Sequence, residues 1–373
     1  LASVSGWLFA HFQRSVNPSP FGLKMGIEYL FMTVVGGVGH VWGAITGALL
    51  TKLLEDQLQV LLPMLIGTSG SYETIVFGIV LVLTLKFLPD GLWSLVEQKL
   101  PRPQRLMDWA NAQPLSERNK PATGELVLKV QAIRKQFGGL VAVNDIGFQI
   151  KAGQIVGLIG PNGAGKSTTF NLITGVLSLT SGKVVFRGED ISGLRSREIA
   201  SRGLSRTFQH VKMIPDMTVL ENVALGAHLR GRKDVVSAMT RLNRDEESQL
   251  LREAQRQLER IGMGAHLHEQ AGNLAMGPQR LMEIARALCS DPALLLLDEP
   301  AAGLRHKEKQ ALAVVLRQLR GEGMSILLVE HDMDLVMDVC DHLVVMEFGT
   351  LLTQGTPVEI QQSPAVRAAY LGT

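Results

Sequence analysis

Gly160-Pro161-Asn162-Gly163-Ala164-Gly165-Lys166-Ser167-Thr168 is the stretch on which the fold turns. It follows a β-type run at residues 154–159 and opens a helical pattern through Phe170, Leu172 and Ile173. Glycines lack a Cβ, so successive backbone N–H groups can curl round phosphate oxygens, and the start of the following helix adds its partial positive charge. Lys166 is placed to reach the β and γ phosphates. The Ser167 hydroxyl is the hard oxygen donor that Mg²⁺ takes. Full spacing in a strand, loop and helix context predicts a P-loop that cradles a nucleoside triphosphate.

Working outward, Leu294-Leu295-Leu296-Leu297 runs into Asp298-Glu299-Pro300. A buried strand ending in two carboxylates beside a P-loop assigns Asp298 to the metal shell. Glu299 is left to face the γ phosphate and orient the attacking water. Residues 126–133, 142–150, 154–159, 183–187, 293–297, 325–329 and 343–346 read as strands, and residues 219–263 as mostly helical. The 294–297 run is apolar without alternation, as in a parallel sheet covered on both faces. The class expected is an α/β P-loop NTPase with a helical insertion.

Before residue 100 the chain changes character. Hydrophobic residues make up 46% of the 373 and charged ones 19%, with a mean hydropathy of +0.16, which is apolar for a protein solvated on all sides. Two apolar regions account for this, at residues 25–54 and 71–88. The first is long enough for a membrane span, or else forms two short helices broken around Gly36, Gly37 and Gly39. Gly39, Gly43 and Gly47 recur every fourth residue and predict a smooth stripe on one helix face. Lys86, Lys99, Arg102 and Arg105 follow the second region and predict a cytoplasmic location for everything after it. Residues 101–125, with Pro101, Pro103, Pro114 and Pro121, read as a linker able to reach roughly 75 Å when extended. The domains expected are therefore 1–100, transmembrane and all-α; 101–125, linker; and 126–373, nucleotide-binding, with its helical part at about 210–290. A net charge of +2 disfavours nucleic acid as a partner. Cys289 and Cys340 have no Cys or His neighbours at metal spacing and are expected as buried core thiols.

Residues 126–373 resemble an ABC-type ATPase, and that resemblance implies further roles. ATP and Mg²⁺ are the implied cofactors. Gln209, in Thr207-Phe208-Gln209, matches the residue that touches metal and attacking water. His331, in Val329-Glu330-His331-Asp332, matches a γ-phosphate contact, although taken alone it reads as an ordinary loop histidine. Phe137, in Gln136-Phe137-Gly138-Gly139, matches the aromatic that stacks on adenine, although strand aromatics also serve as core. Leu274-Ala275-Met276-Gly277-Pro278-Gln279 stands where the family shows Leu-Ser-Gly-Gly-Gln. There Leu274, Ala275 and Gly277 are implied to meet the nucleotide of a second ATPase subunit. Ala275 lacks the hydroxyl that a serine would bring, which weakens such a site without abolishing it. Arg305 stands where the family carries Asp or Asn.

Ser205-Arg206-Thr207-Phe208-Gln209, Met217-Thr218-Val219-Leu220-Glu221-Asn222-Val223, Glu330-His331-Asp332-Met333 and Ala369-Tyr370-Leu371-Gly372 resemble the ATPases of high-affinity branched-chain amino acid importers. Gly36-Gly37-Val38-Gly39-His40-Val41-Trp42-Gly43 and Phe87-Leu88-Pro89-Asp90-Gly91-Leu92 resemble the end of the matching permease. The expectation is a permease cut short at its N-terminus and fused to its ATPase. Implied partners are a second ATPase subunit, permease subunits and a periplasmic substrate-binding protein at the bacterial inner membrane. Residues 209–226 are the expected surface for a permease helix. Cargo implied by such relatives is leucine-type amino acids, urea or short amides. The alternative is a soluble ABC ATPase with an unrelated apolar N-terminus, but only one P-loop is present where such proteins carry two.

Overall fold

The computed structural model describes residues 2–14, 22–66, 72–99, 109, 111–207, 212–231 and 244–371. They divide into two units, Leu1–Leu106 and Met107–Thr373. The first is helical throughout: α1 (Ala2–Gln13), α2 (Leu23–Gly36), α3 (Val41–Ile66), α4 (Tyr72–Phe87) and α5 (Leu92–Lys99). Of the two readings of residues 25–54, the broken pair is the one adopted, with a bend of 117° between Met25–Gly36 and Val41–Leu58. The small-residue stripe is shorter than the sequence suggests, because Gly39 falls in the turn between the helices. Gly43 and Gly47 carry it on α3, and α2 presses so close there that a Cβ on Gly47 would strike the Met32 carbonyl. Such approach of backbones is what small residues permit between helices in lipid. Among the described residues no single helix is long and apolar enough to cross a membrane, whereas the bent pair passes by length and composition. Trp7, Phe12, Leu30, Trp42, Val82 and Phe87 are all more than half exposed, an apolar surface that calls for lipid or another apolar partner.

The second unit begins with β1 (Leu126–Phe137), β2 (Leu140–Lys151), β3 (Ile155–Ile159), α6 (Lys166–Ile173), β4 (Ser181–Phe186), β5 (Glu189–Asp190), α7 (Ser196–Ser201) and β6 (Leu204–Arg206). A helical stretch follows, with α8 (Val219–Ala224), α9 (Arg244–Arg260) and α10 (Met276–Leu288). The chain closes with β7 (Leu294–Asp298), α11 (His306–Gly321), β8 (Ser325–Val329), α12 (Met333–Val339), β9 (His342–Glu347), β10 (Thr350–Gly355), α13 (Pro357–Gln362) and α14 (Pro364–Leu371). One sheet has the order β2-β1-β4-β5 and is antiparallel. The other runs β10-β9-β3-β8-β7-β6 and is parallel except for β10.

The unalternating strands are explained by two cores. Ile155, Leu295, Leu297, Ile326, Leu328 and Val345 join one apolar cluster, while their neighbours Val156, Leu294, Leu296, Leu327, Val329 and Val344 join the other. Successive side chains point to opposite faces, so covering both faces requires every position to be apolar. Three strands were not expected from sequence: β5, β6 and β10. The first two are short and partly polar, and β10 is an edge strand carrying Thr350, Thr353 and Gln354, so none has the apolar run that marks the centre of the sheet. Cys289 and Cys340 are buried as expected.

The proline-rich segment is held along the second unit from residue 109 onward. Trp109 Nε1 donates to Gln255 at 2.8 Å, and Arg230 donates to the Ser116 carbonyl at 2.9 Å. Arg252 donates to the Ala112 carbonyl, and Arg256 pairs with Glu117 at 2.6 Å. Farther along, Arg187 donates to the Asn119 carbonyl at 2.8 Å, Lys120 pairs with Asp291 at 2.9 Å, and the Arg118 N–H donates to the Asp291 carboxylate. One segment thus touches both the helical stretch and the sheet-bearing part of the unit.

Candidate functional site

β3 ends at Ile159 in the interior of the parallel sheet, and the chain turns there into α6. Gly163 (φ 83°) and Gly165 (φ 93°) take left-handed backbone in that turn, and a Cβ on Gly165 would come within 2.6 Å of the Ala142 carbonyl oxygen. Only glycine meets both demands. Lys166 is folded back over the loop, donating to the carbonyls of Gly160 at 2.7 Å and Pro161 at 3.0 Å. Burial holds its ammonium below the usual lysine range against the opposing attraction of Glu299. A charge kept in a loop of carbonyls is one that phosphate oxygens would draw out. Ser167 stands exposed on the first turn of α6.

A cleft of about 430 Å³ opens over this loop. It is lined by residues 162–168, by Glu299, and by two further segments, Leu140 to Ala142 and Phe348 with Gly349.

The carboxylates come from the end of β7. Asp298 is nearly buried, its N–H donates to Thr207 Oγ1 at 3.3 Å, and its carboxylate stands 3.8 Å from Arg206. Burial pushes the Asp298 carboxyl up, the Arg206 guanidinium opposes that, and Glu299 adds to it. Arg206 is itself fixed, with its guanidinium 4.9 Å from the Phe170 ring and hydrogen bonds to Asn171 and Thr174. Glu299 adopts φ 48°, its N–H donating to the Val329 carbonyl at 2.8 Å. Non-glycine residues adopt that backbone uncommonly.

His331 follows β8, with a side chain more than half exposed and Nδ1 4.0 Å from Glu299 Oε2. P-loop, acid pair and His331 therefore meet at one edge of the parallel sheet, where β3, β7 and β8 end. Gln209 lies outside the described residues. Phe137 stands at the end of β1, with the Lys135 ammonium 5.0 Å from its ring, and does not contribute to the described lining of the cleft. Leu274, Ala275 and Gly277 sit elsewhere, at the start of α10, where Ala275 is the N-cap without a side-chain bond and Gln279 donates to the Leu274 carbonyl at 2.8 Å. Along α10, Ile284, Ala285 and Leu288 are buried and Leu281 is only partly so. Arg305 caps α11 through its backbone, donating to Glu308 at 2.7 Å.

Sequence reading had assigned no role to Glu330. Fully buried, it accepts the backbone N–H groups of Ala301 at 2.6 Å, His331 at 3.0 Å and Asp332 at 3.3 Å. It thereby ties the turn after Glu299 to the turn that carries His331. Burial raises its carboxyl, and the three N–H donors pull the other way. A carboxylate directly after the apolar β8 run was the available signal, the same one that exposed Asp298. Tyr370 on α14 also reaches the site, its phenol hydrogen-bonded to the Gly160 backbone.

The donor set suits Mg²⁺. Both candidate ligands, the Ser167 hydroxyl and the Asp298 carboxylate, are hard oxygens, and this ion keeps waters and phosphates as its remaining ligands. Among the described residues no group of three or more acidic, His or Cys side chains competes as a metal cage.

Comparison with known proteins agrees with this geometry. Residues 143–302 match the ABC transporter family model. The ATP-binding protein LivG of high-affinity branched-chain amino acid transport from Salmonella typhimurium is 44% identical over 249 residues, covering 66% of this chain and 98% of the relative. The chain belongs to the ABC transporter family. Within it, BraF of Pseudomonas aeruginosa is 41% identical over the same length. Residues 350–373 match a model described as branched-chain amino acid ATP-binding cassette transporter. Residues 1–85 match one described as the permease component of a branched-chain amino acid transport system. A nucleotide-free ABC cassette superposes with a TM-score of 0.60 at 31% identity, covering 66% of this chain and all of that one, and a cassette in its ADP conformation gives the same score and identity. Membership of the ABC family carries nucleotide binding, ATP hydrolysis, pairing of ATP-binding domains and association with a membrane permease.

Proposed function

We propose that this chain is a permease fragment and ATPase in one polypeptide, driving import of branched-chain amino acids or related small solutes such as urea or amides across the bacterial inner membrane. The observation that carries this reading is the agreement of two separate stretches. Residues 1–85 match the permease of one transport system, and the second unit matches its ATP-binding protein. A periplasmic binding protein delivers the solute, and a second ATPase subunit, of the same or a different chain, completes the motor.

In the proposed cycle, residues 160–168 bind the triphosphate, and Lys166 leaves the Gly160 and Pro161 carbonyls for the phosphates. Ser167 and Asp298, joined by Gln209, would hold Mg²⁺. When bound, that ion neutralises charge on the β and γ oxygens. Glu299 orients the attacking water and accepts its proton, while His331 contacts the γ phosphate. Leu274, Ala275 and Gly277 close over the nucleotide of the partner subunit. ATP favours the closed pair only by its differential affinity, and hydrolysis removes that preference. Residues 209–226 receive a helix of the permease.

Phosphate release by detergent-solubilised full-length protein tests the motor. Glu299→Gln should cut the rate by roughly 10²- to 10⁴-fold while ATP still binds. Uptake of radiolabelled leucine in vesicles holding the chain with its permease and binding protein tests the cargo. Hydrolysis without solute-dependent uptake of any of the proposed cargoes would reject the transport reading.

A further inference from the structure

The Arg230 side chain is only 9% exposed and lies 3.3 Å from the buried Glu253 carboxylate of α9. Its guanidinium donates to the Cys289 carbonyl at 3.0 Å, just past α10, and to the Ser116 carbonyl at 2.9 Å. A charge removed from water is tolerated only when its hydrogen bonds are made. Ser116 therefore completes an interior ion cluster, and the segment that carries it is part of the unit's framework.

On one side of Ser116 the segment is fastened to α9. Trp109 Nε1 donates to Gln255 at 2.8 Å, Arg252 donates to the Ala112 carbonyl, and Trp109 and Leu115 pack against the apolar cluster that holds Ala254 and Leu258. On the other side it is fastened to the loop between α10 and β7. There the Arg118 N–H and the Lys120 ammonium meet the Asp291 carboxylate, and the Arg118 side chain donates to the Asp291 carbonyl at 3.2 Å and the Ser201 carbonyl at 2.9 Å. α9 packs on α10, whose start carries Ala275 and Gly277, while the Asp291 loop leads into β7 and its acid pair. Residues 109–120 thus span the joint between the part that would meet a partner's nucleotide and the part that works on this chain's own.

The same segment continues back to the permease match. Only residues 100–108 separate Lys99, where α5 ends, from Trp109. Ten residue steps at up to about 3.6 Å each span at most about 36 Å, against roughly 75 Å for an unattached linker over residues 101–125. A short connection passes displacement on, whereas a slack one absorbs it.

We propose that residues 109–120 are a strap that carries displacement of the permease part, along the chain itself, to the joint between α9–α10 and the β7 loop, and so to ATP turnover. This rests on the transport reading above and adds to it a covalent route, separate from the surface at residues 209–226.

The test is phosphate release by the full-length chain in vesicles with its permease and binding protein, measured with and without leucine. About twelve Gly and Ser residues inserted between Pro103 and Gln104 add roughly 20 Å of slack and leave the strap contacts in place. Trp109→Ala combined with Arg252→Ala instead removes the two bonds to α9. Both proteins should keep the basal rate and lose about fivefold or more of the leucine-stimulated rate, the lower end of an ordinary coupling between sites. A segment that only packs would answer the double substitution with a lower melting temperature and would not answer the insertion at all. Undiminished stimulation in the insertion protein, or an equal fall of basal and stimulated rates in both proteins, would overturn the proposal. Failure of leucine to stimulate the unmodified protein would instead overturn the transport reading with that cargo.

Discussion

At the scale of single residues, the site is a set of charges held where they are uncomfortable. Burial raises the Asp298 carboxyl above the usual 3.8, with Arg206 opposing. A carboxyl whose folded pKa is raised takes up a proton more readily in the folded state than in the unfolded one. Its destabilising effect is therefore present above the folded pKa and disappears as the pH falls to 3.8 and below. Catalysis has the opposite sign, because only the ionised carboxylate serves as a metal ligand. We expect phosphate release to fall on acidification with a midpoint above that of an ordinary aspartate. The stability gain of Asp298→Asn over the unmodified protein should meanwhile shrink. A pH series of ATPase rates and melting curves on both proteins checks this, and a stability difference that grew with acid would contradict it. The acid pair was legible in sequence because an apolar strand must end where charge is wanted. The ring facing the cleft was not. Phe348 stands in the β9–β10 turn, and only the tertiary pairing of β9 with β3 brings that turn to the P-loop.

At the scale of elements, the apolar strands were readable, the edge strand β2 among them, whereas β5, β6 and β10 were not, since they are short or carry Thr and Gln in place of an apolar run. Residues 109–125 show a different limit. Proline and polar residues identify a segment without regular structure, but they say nothing of what it lies against. Its contacts are isolated side-chain bonds, several of them arginines reaching backbone carbonyls, and such bonds leave no periodic trace. Asp291 anchors one end of this segment. Burial alone would raise its carboxyl, but the Arg118 N–H and the Lys120 ammonium outweigh that and hold it below 3.8. With a lowered folded pKa, its stabilising contribution is present above the unfolded value and is lost as the pH falls through the folded one. Asp291 also has φ 52°, which asparagine tolerates, so Asp291→Asn removes the charge without disturbing the backbone. We expect it to cost about 1.5–3 kcal/mol at pH 7. Denaturant melts should show that difference closing below pH 3.8.

At the scale of the whole molecule, one chain supplies one P-loop cleft and, elsewhere on its second unit, one helix start at residues 274–277. The α10 N-cap is Ala275, with no side-chain bond to the helix. Replacing it with serine changes two things that can be measured apart. An N-cap hydroxyl stabilises its own helix by about 1 kcal/mol, raising the melting temperature of the isolated chain. The same hydroxyl, if it faces a partner's γ phosphate, adds a hydrogen bond to a charged group of about 1.5–3 kcal/mol, or roughly tenfold or more in association. In a Glu299→Gln background, where ATP binds without turning over, Ala275→Ser should therefore strengthen ATP-dependent dimerisation by about that factor in sedimentation experiments. With no nucleotide present, association should be unchanged. A higher melting temperature without tighter ATP-dependent dimers would mean that this loop caps its own helix and meets no nucleotide. Pairing of these chains would then have to proceed through another surface.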